Sequence, residues 1–141
     1  MRYMLLVHHD EDAFRKRSEA ERHSLIQESI QLATQLHTTG QYLSAAPLHP
    51  ASETTCVRVR DGKRLVTDGP FAETREQIGG YFLIDASDLD VALGIAARIP
   101  GARIGTVEVR LPRSLACRNC DCSGPFRLVQ CRWYTPIRRP E

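Results

Sequence analysis

Apolar and polar positions fall into two rhythms along the first 112 residues. Residues 2–8 place apolar side chains at both parities, Tyr3, Leu5 and Val7 against Met4 and Leu6. That pattern predicts a strand covered on both faces. Residues 10–17 are polar and read as a loop. Ser18 followed three positions later by Glu21 forms the sequence of a capping box, so a helix is expected from there. Leu25/Ile26, Ile30, Ala33 and Leu36 then recur at helical spacing, and Gly40 stands where a left-handed C-terminal cap belongs. Residues 41–46 predict a short second strand, broken by Pro47 and Pro50.

The next signal is a hairpin. Residues 54–60 and 63–67 flank Asp61-Gly62, a dipeptide suited to a two-residue turn. Pairing about that turn sets Val57 opposite Val66 and Val59 opposite Arg64, leaving Arg58, Arg60 and Lys63 on the other face. A solvated basic edge explains that face more simply than nucleic-acid binding, because no aromatics interleave the charges. Gly79-Gly80 opens the apolar strand Tyr81-Phe82-Leu83-Ile84, and Ser87 with Asp90 predicts a second capping box. Leu89, Ala92/Leu93, Ala96 and Ile99 form the next helical stripe, ended by Pro100-Gly101. Residues 104–111 alternate and predict a last strand with one buried face.

The order is thus β-α-β, an inserted β-hairpin, and β-α-β. Two capped helices set between such strands predict a ferredoxin-like α+β sandwich, both helices on one face of an antiparallel sheet. The other face has few aromatics to cover it. A second copy is expected to pack there, giving a homodimer of the dimeric α+β barrel type.

Charge divides the chain in two. Residues 1–112 carry 13 Lys and Arg against 15 Asp and Glu, whereas residues 113–141 carry 6 Arg against 2 acids. Four of the 5 cysteines also lie in the second part. Residues 1–112 therefore read as one domain and residues 113–141 as a basic, Cys-containing, disordered tail. Cys117, Cys120, Cys122 and Cys131 offer the four thiolates of a structural zinc, but their irregular spacing fits zinc knuckles poorly. Reduced thiols are expected there, and neither a metal nor a cofactor. No apolar run approaches the ~20 residues of a membrane span. Residues 1–7 turn polar at His8-His9-Asp10 with no small-residue cleavage site, so a cytoplasmic protein without a membrane partner is expected.

The chemistry concentrates in residues 66–77. Within Asp68-Gly69-Pro70-Phe71, Pro70 fixes its own φ and supplies no N–H for an Asp-initiated turn. Two readings stay open. The stretch is a structural turn pinned by Phe71, or Asp68, Phe71, Glu73 and Glu76 edge a ligand-binding pocket. His8 and His9 are adjacent on a strand and point to opposite faces, so they cannot easily share one metal. His8, Asp68 and Glu73 are the candidate acid/base groups, His8 on the expectation that it faces a cleft beside the central loop. No phosphate-binding Gly loop, Ser-nucleophile motif or HExxH is present to point to a common enzyme class.

Three runs carry a family resemblance: Arg2-Tyr3-Met4-Leu5-Leu6, the long central run from Val66 through Asp68-Gly69-Pro70-Phe71 to Asp85, and Ala96-Ala97-Arg98-Ile99-Pro100 followed by Val107-Glu108-Val109-Arg110. Over residues 1–112 the chain resembles the YCII-related, DGPF-domain family. The resemblance implies a ferredoxin-like dimer with a cleft between its layers and no settled activity. In some members it implies a link to extracytoplasmic-function sigma factors. Relatives of the YCII type carry a His in the first helix and an Asp-Pro after the second. Here Gln27, Glu28 and Ser29 stand near the first place, with His23 one turn earlier, and Arg98-Ile99 precedes Pro100 at the second. Two function classes follow. One is a dimeric module binding a small ligand or a protein partner, tied to sigma-factor regulation. The other is a small-molecule enzyme working by acid/base chemistry in the cleft.

Overall fold

A computed structural model of the chain describes residues 1–112. The elements run β1 (Arg2–His9), α1 (Glu11–Arg15), α2 (Glu19–Thr38), β2 (Tyr42–Pro47), β3 (Thr55–Arg60), β4 (Lys63–Asp68), β5 (Gln77–Asp85), α3 (Leu89–Arg98) and β6 (Gly105–Arg110). Short 3-10 turns occupy Ala51–Glu53 and Pro100–Arg103. Strands β2-β5-β1-β6 form one antiparallel sheet in that order, and β3-β4 form a separate two-stranded ribbon. This is the ferredoxin-like α+β sandwich with an inserted hairpin.

Strand parity decides where the core lies. Tyr3 and Leu5 of β1 stand opposite Ile84 and Phe82 of β5, and all four are buried. Leu32 and Leu36 of α2 and Ala92, Ile95 and Ala96 of α3 close over the same face. Fully burying a side chain such as Leu5, Leu36 or Ile84 contributes about 1.5–3 kcal/mol. Met4, Leu6, Tyr81 and Leu83 have the opposite parity and remain half-buried on the face without helices.

Several local expectations hold in detail. The Ser18–Glu21 capping box forms, Gly40 takes φ +74 after the α2 terminus, and Val57 and Val59 face Val66 and Arg64. Asp61 and Gly62 take φ +50 and +70, as a type I′ turn requires. Others shift. Residues 11–15 form a helix rather than loop, because the Asp10 carboxylate accepts the Ala13 N–H at 2.9 Å and caps it. The second N-cap is Asp88, not Ser87. Val91 N–H donates to Asp88 at 2.9 Å, while the Ser87 hydroxyl donates to the same carboxylate. The α2 stripe is rotated as well. Leu25, Ser29, Leu32 and Leu36 turn inward, leaving Ile26 and Ile30 at 51% and 52% exposure. In α3, Leu89 and Leu93 are exposed while Ile95 is buried, since the small Ala92 and Ala96 bring that face close to the sheet.

The end of β1 is held by close approach of its neighbours. A Cβ on Gly105 of β6 would lie 2.0 Å from the His8 carbonyl oxygen. Opposite, the pairing steps from Val7–Gly80 to His8–Ile78, so Gly79 faces no β1 residue and forms a bulge. The His9 ring fills the space at that bulge, where a Gly79 Cβ would lie 2.0 Å from His9 Cε1.

Candidate functional site

A cleft lies beside the last residues of β1 and the register shift at Gly79. The cleft encloses about 630 Å³. Its walls come from His8, from residues 48–51, Glu53 and Thr54 after β2, and from Cys56, residues 70–72, Thr74 and residues 76–78. The lining is mainly apolar, with Leu48, Pro50, Pro70, Phe71 and Ile78 as its larger members.

Backbone bonds set the loop. Gly69, at φ +95, donates its N–H to the Thr54 carbonyl at 2.7 Å, and the Cys56 thiol donates to the Gly69 carbonyl at 3.2 Å. The Asp68 carboxylate takes no part in these bonds, and no hydrogen bond to it occurs among the described residues. Further on, Thr74 donates its hydroxyl to the Glu76 carbonyl at 2.6 Å, and Gln77 returns its amide N–H to the Thr74 carbonyl at 2.8 Å. These two bonds fix the chain on either side of Glu76.

The short helix α1 braces both walls. Ala51 N–H donates to Glu11 Oε1 at 2.8 Å, which ties the 3-10 turn to the helix. Arg75 Nε lies 3.7 Å from Asp10 Oδ2, a loose exposed pair on the loop side. Phe14 packs against the His9 ring with centroids 5.0 Å apart. The Ala13 N–H bond holds the Asp10 carboxyl below its ordinary value.

The structure brings His8, Phe71 and Glu76 to the cleft and leaves Asp68 and Glu73 off its lining. Phe71 is 78% exposed, and the Arg58 guanidinium carbon sits 5.3 Å from its ring centroid. Glu76 is half-buried, and its carboxylate makes no hydrogen bond or ion pair among the described residues. His8 Nε2 is shielded from solvent and lies 3.3 Å from Glu108 Oε2. Arg110 donates to the same Glu108 carboxylate at 2.6 Å and, ahead of His8, holds it below its ordinary value. Sequence alone did not single out Glu108, because its place depends on the β1–β6 register, His8 opposite Thr106 and Leu6 opposite Glu108. Glu11 and Asp10 were missed with their helix, although Asp10 three positions before Ala13 is a usable capping signal. Among the described residues no cluster of three or more His, Cys, Asp or Glu is arranged to hold a metal. Cys117, Cys120, Cys122 and Cys131 lie outside the described residues. No helix among the described residues is long and apolar enough to cross a membrane.

Sheet order and cleft together define a class: a ferredoxin-like α+β domain with an apolar cleft at the end of its central strand. The chain belongs to the YCII-related domain family, which its residues 1–112 match. It is also similar to an uncharacterized protein of Rhizobium meliloti (strain 1021), 33% identical over 112 residues that span 78% of this chain and 90% of the relative.

His9 makes the neighbourhood sensitive to pH. Burial lowers its pKa, against the raising pull of Glu11, Asp10 and Glu76. With the folded value below the unfolded one, the unfolded chain takes up a proton first as pH falls through about 6.5. Stability is therefore complete above that pH and declines below it, until the folded imidazole is also protonated. Urea denaturation of the full chain at pH 7 and pH 5 is expected to show this loss, and His9→Gln is expected to reduce it. An equal loss in the variant would assign the decline to other groups.

Proposed function

We propose that the protein is a dimeric, non-catalytic module that binds a small ligand in the cleft at the end of β1. One observation carries this reading: an apolar, open cleft of about 630 Å³ with a few polar groups at fixed places. Small-molecule sites are commonly of this size and composition. A thermal-shift screen of small organic compounds against the full chain tests it. A compound present at 100 times its Kd is expected to add about 2.7 kcal/mol of stability, and Ile78→Asp, an exposed change in the wall, is expected to abolish the shift. A screen with no stabilising compound, or a shift that survives Ile78→Asp, would refute it.

A second reading is favoured by the His8–Glu108 contact. In an enzyme, His8 would act as general base at the cleft while Glu108 fixes the imidazole. The two readings part at turnover: conversion of a bound compound that is lost in His8→Asn supports the second, and binding without conversion in the unchanged chain supports the first. For the module, the output would run through a protein partner. The sigma-factor link implied by the family supplies the partner class, and co-precipitation with a sigma factor tests it.

The second copy would cover the helix-free sheet face through Met4, Leu6, Tyr81 and Leu83. Sedimentation equilibrium at micromolar concentration is expected to give a dimer for the full chain and a folded monomer for Leu6→Arg. A stable wild-type monomer would contradict this assembly.

A further inference from the structure

The geometry points to an apolar organic cation, an amine or quaternary ammonium on a hydrocarbon body, as the ligand of the cleft. This rests on the reading of the cleft as a small-ligand site and adds the chemistry of the occupant.

Three observations carry it. First, the charged residues in the lining are Glu53 and Glu76, with no Lys or Arg among the lining residues. Arg75, outside the lining, lies 3.7 Å from Asp10, and Arg58 lies over Phe71 at 5.3 Å. Second, the two acids differ. Glu53 is highly exposed, with His49 Nδ1 3.3 Å from its carboxylate. Glu76 is half-buried and has no hydrogen bond or ion pair among the described residues. A carboxylate that loses part of its water without gaining a partner is costly, and an arriving cation offsets that cost. The Thr74 and Gln77 bonds fix the backbone around Glu76, so the point from which its side chain reaches is set before the ligand arrives. Third, Leu48, Ile78 and Phe71 offer apolar surface beside the acid, and the Phe71 ring already takes one cation on its face. An anion would meet the two carboxylates. A neutral body would leave Glu76 unpaired.

Isothermal titration of the full chain at pH 7 with three probes of one shape tests this: 4-phenylbutylamine, 4-phenylbutan-1-ol and 4-phenylbutyrate. The amine is expected to bind at least tenfold more tightly than the alcohol, with no detectable binding of the carboxylate. Glu76→Gln is isosteric and partly exposed, and is expected to retain the wild-type melting temperature and to weaken the amine at least tenfold. Glu53→Gln is expected to have a smaller effect. Should Glu76→Gln fail to fold, amine binding that weakens steeply with added salt in the wild type supports the charge pairing, and salt-independent binding overturns it. Alcohol binding as tight as that of the amine, or an unchanged amine affinity in Glu76→Gln, overturns the cation claim and leaves the cleft reading standing. Failure of all three probes to bind overturns the cation claim, whereas failure of the broader compound screen is what removes the cleft itself.

Discussion

The end of β1 is wedged between two glycines, one against its backbone and one against a ring that it carries. Gly105 meets the His8 carbonyl on one side, and Gly79 leaves room for the His9 ring on the other. A Cβ at Gly105 would force β6 from β1, whereas a Cβ at Gly79 would displace the His9 ring. The bulge at Gly79 then shifts the register, so that His8 meets Ile78 and His9 meets Gln77. The cleft lies beside this shifted end of the sheet, with His8, Gln77 and Ile78 in its lining. Its position is a consequence of strand pairing, with the loop from Gly69 to Glu76 closing one side.

What the loop presents to this space follows from its own bonds. The Gly69 N–H and carbonyl are both engaged, so the turn holds without the Asp68 carboxylate. Glu76 is different. The chain on both sides of it is fixed, its carboxylate is half-buried, and the surrounding lining is apolar. A charge so placed is expensive alone and strong when paired. Burial depresses the His9 pKa on the other side of β1, with Glu76 among the groups that oppose the shift. Stability and ligand chemistry are therefore linked at this one corner of the sheet.

Much of the fold was legible in residue order. Continuous apolar runs marked β1 and β5 and alternation marked β6, Ser18 with Glu21 marked the start of α2, and Asp61-Gly62 set the hairpin register. The capped ends were read better than the buried faces. Ile26 and Ile30 satisfied a helical stripe as well as Leu32 did, and only packing against the sheet chose between them. Helix α1, at five residues, is too short for any periodicity to register. Its Asp10 cap was the sole cue, and with it went the braces from Glu11 to Ala51 and from Phe14 to His9. In the site, composition drew attention to residues 66–77 as a block. It could not separate Glu76 and Phe71, which reach the cleft, from Asp68 and Glu73, which do not, because that sorting depends on how the loop folds ahead of the bulge three residues past Glu76. Glu108 is the same case across the sheet, meeting His8 through a register that no local pattern encodes.

The wedge at β1 is most directly tested by a double-mutant cycle on Gly79 and His9, read by urea denaturation of the full chain at pH 7. The three atoms nearest to a Gly79 Cβ all belong to the His9 ring. Gly79→Ala alone is expected to cost about 1–3 kcal/mol, as overpacking does. In the His9→Ala background the same change is expected to cost less, with a coupling of about 0.5 kcal/mol or more. Additive effects of the two changes would contradict the account, because the ring would then not be what Gly79 makes room for.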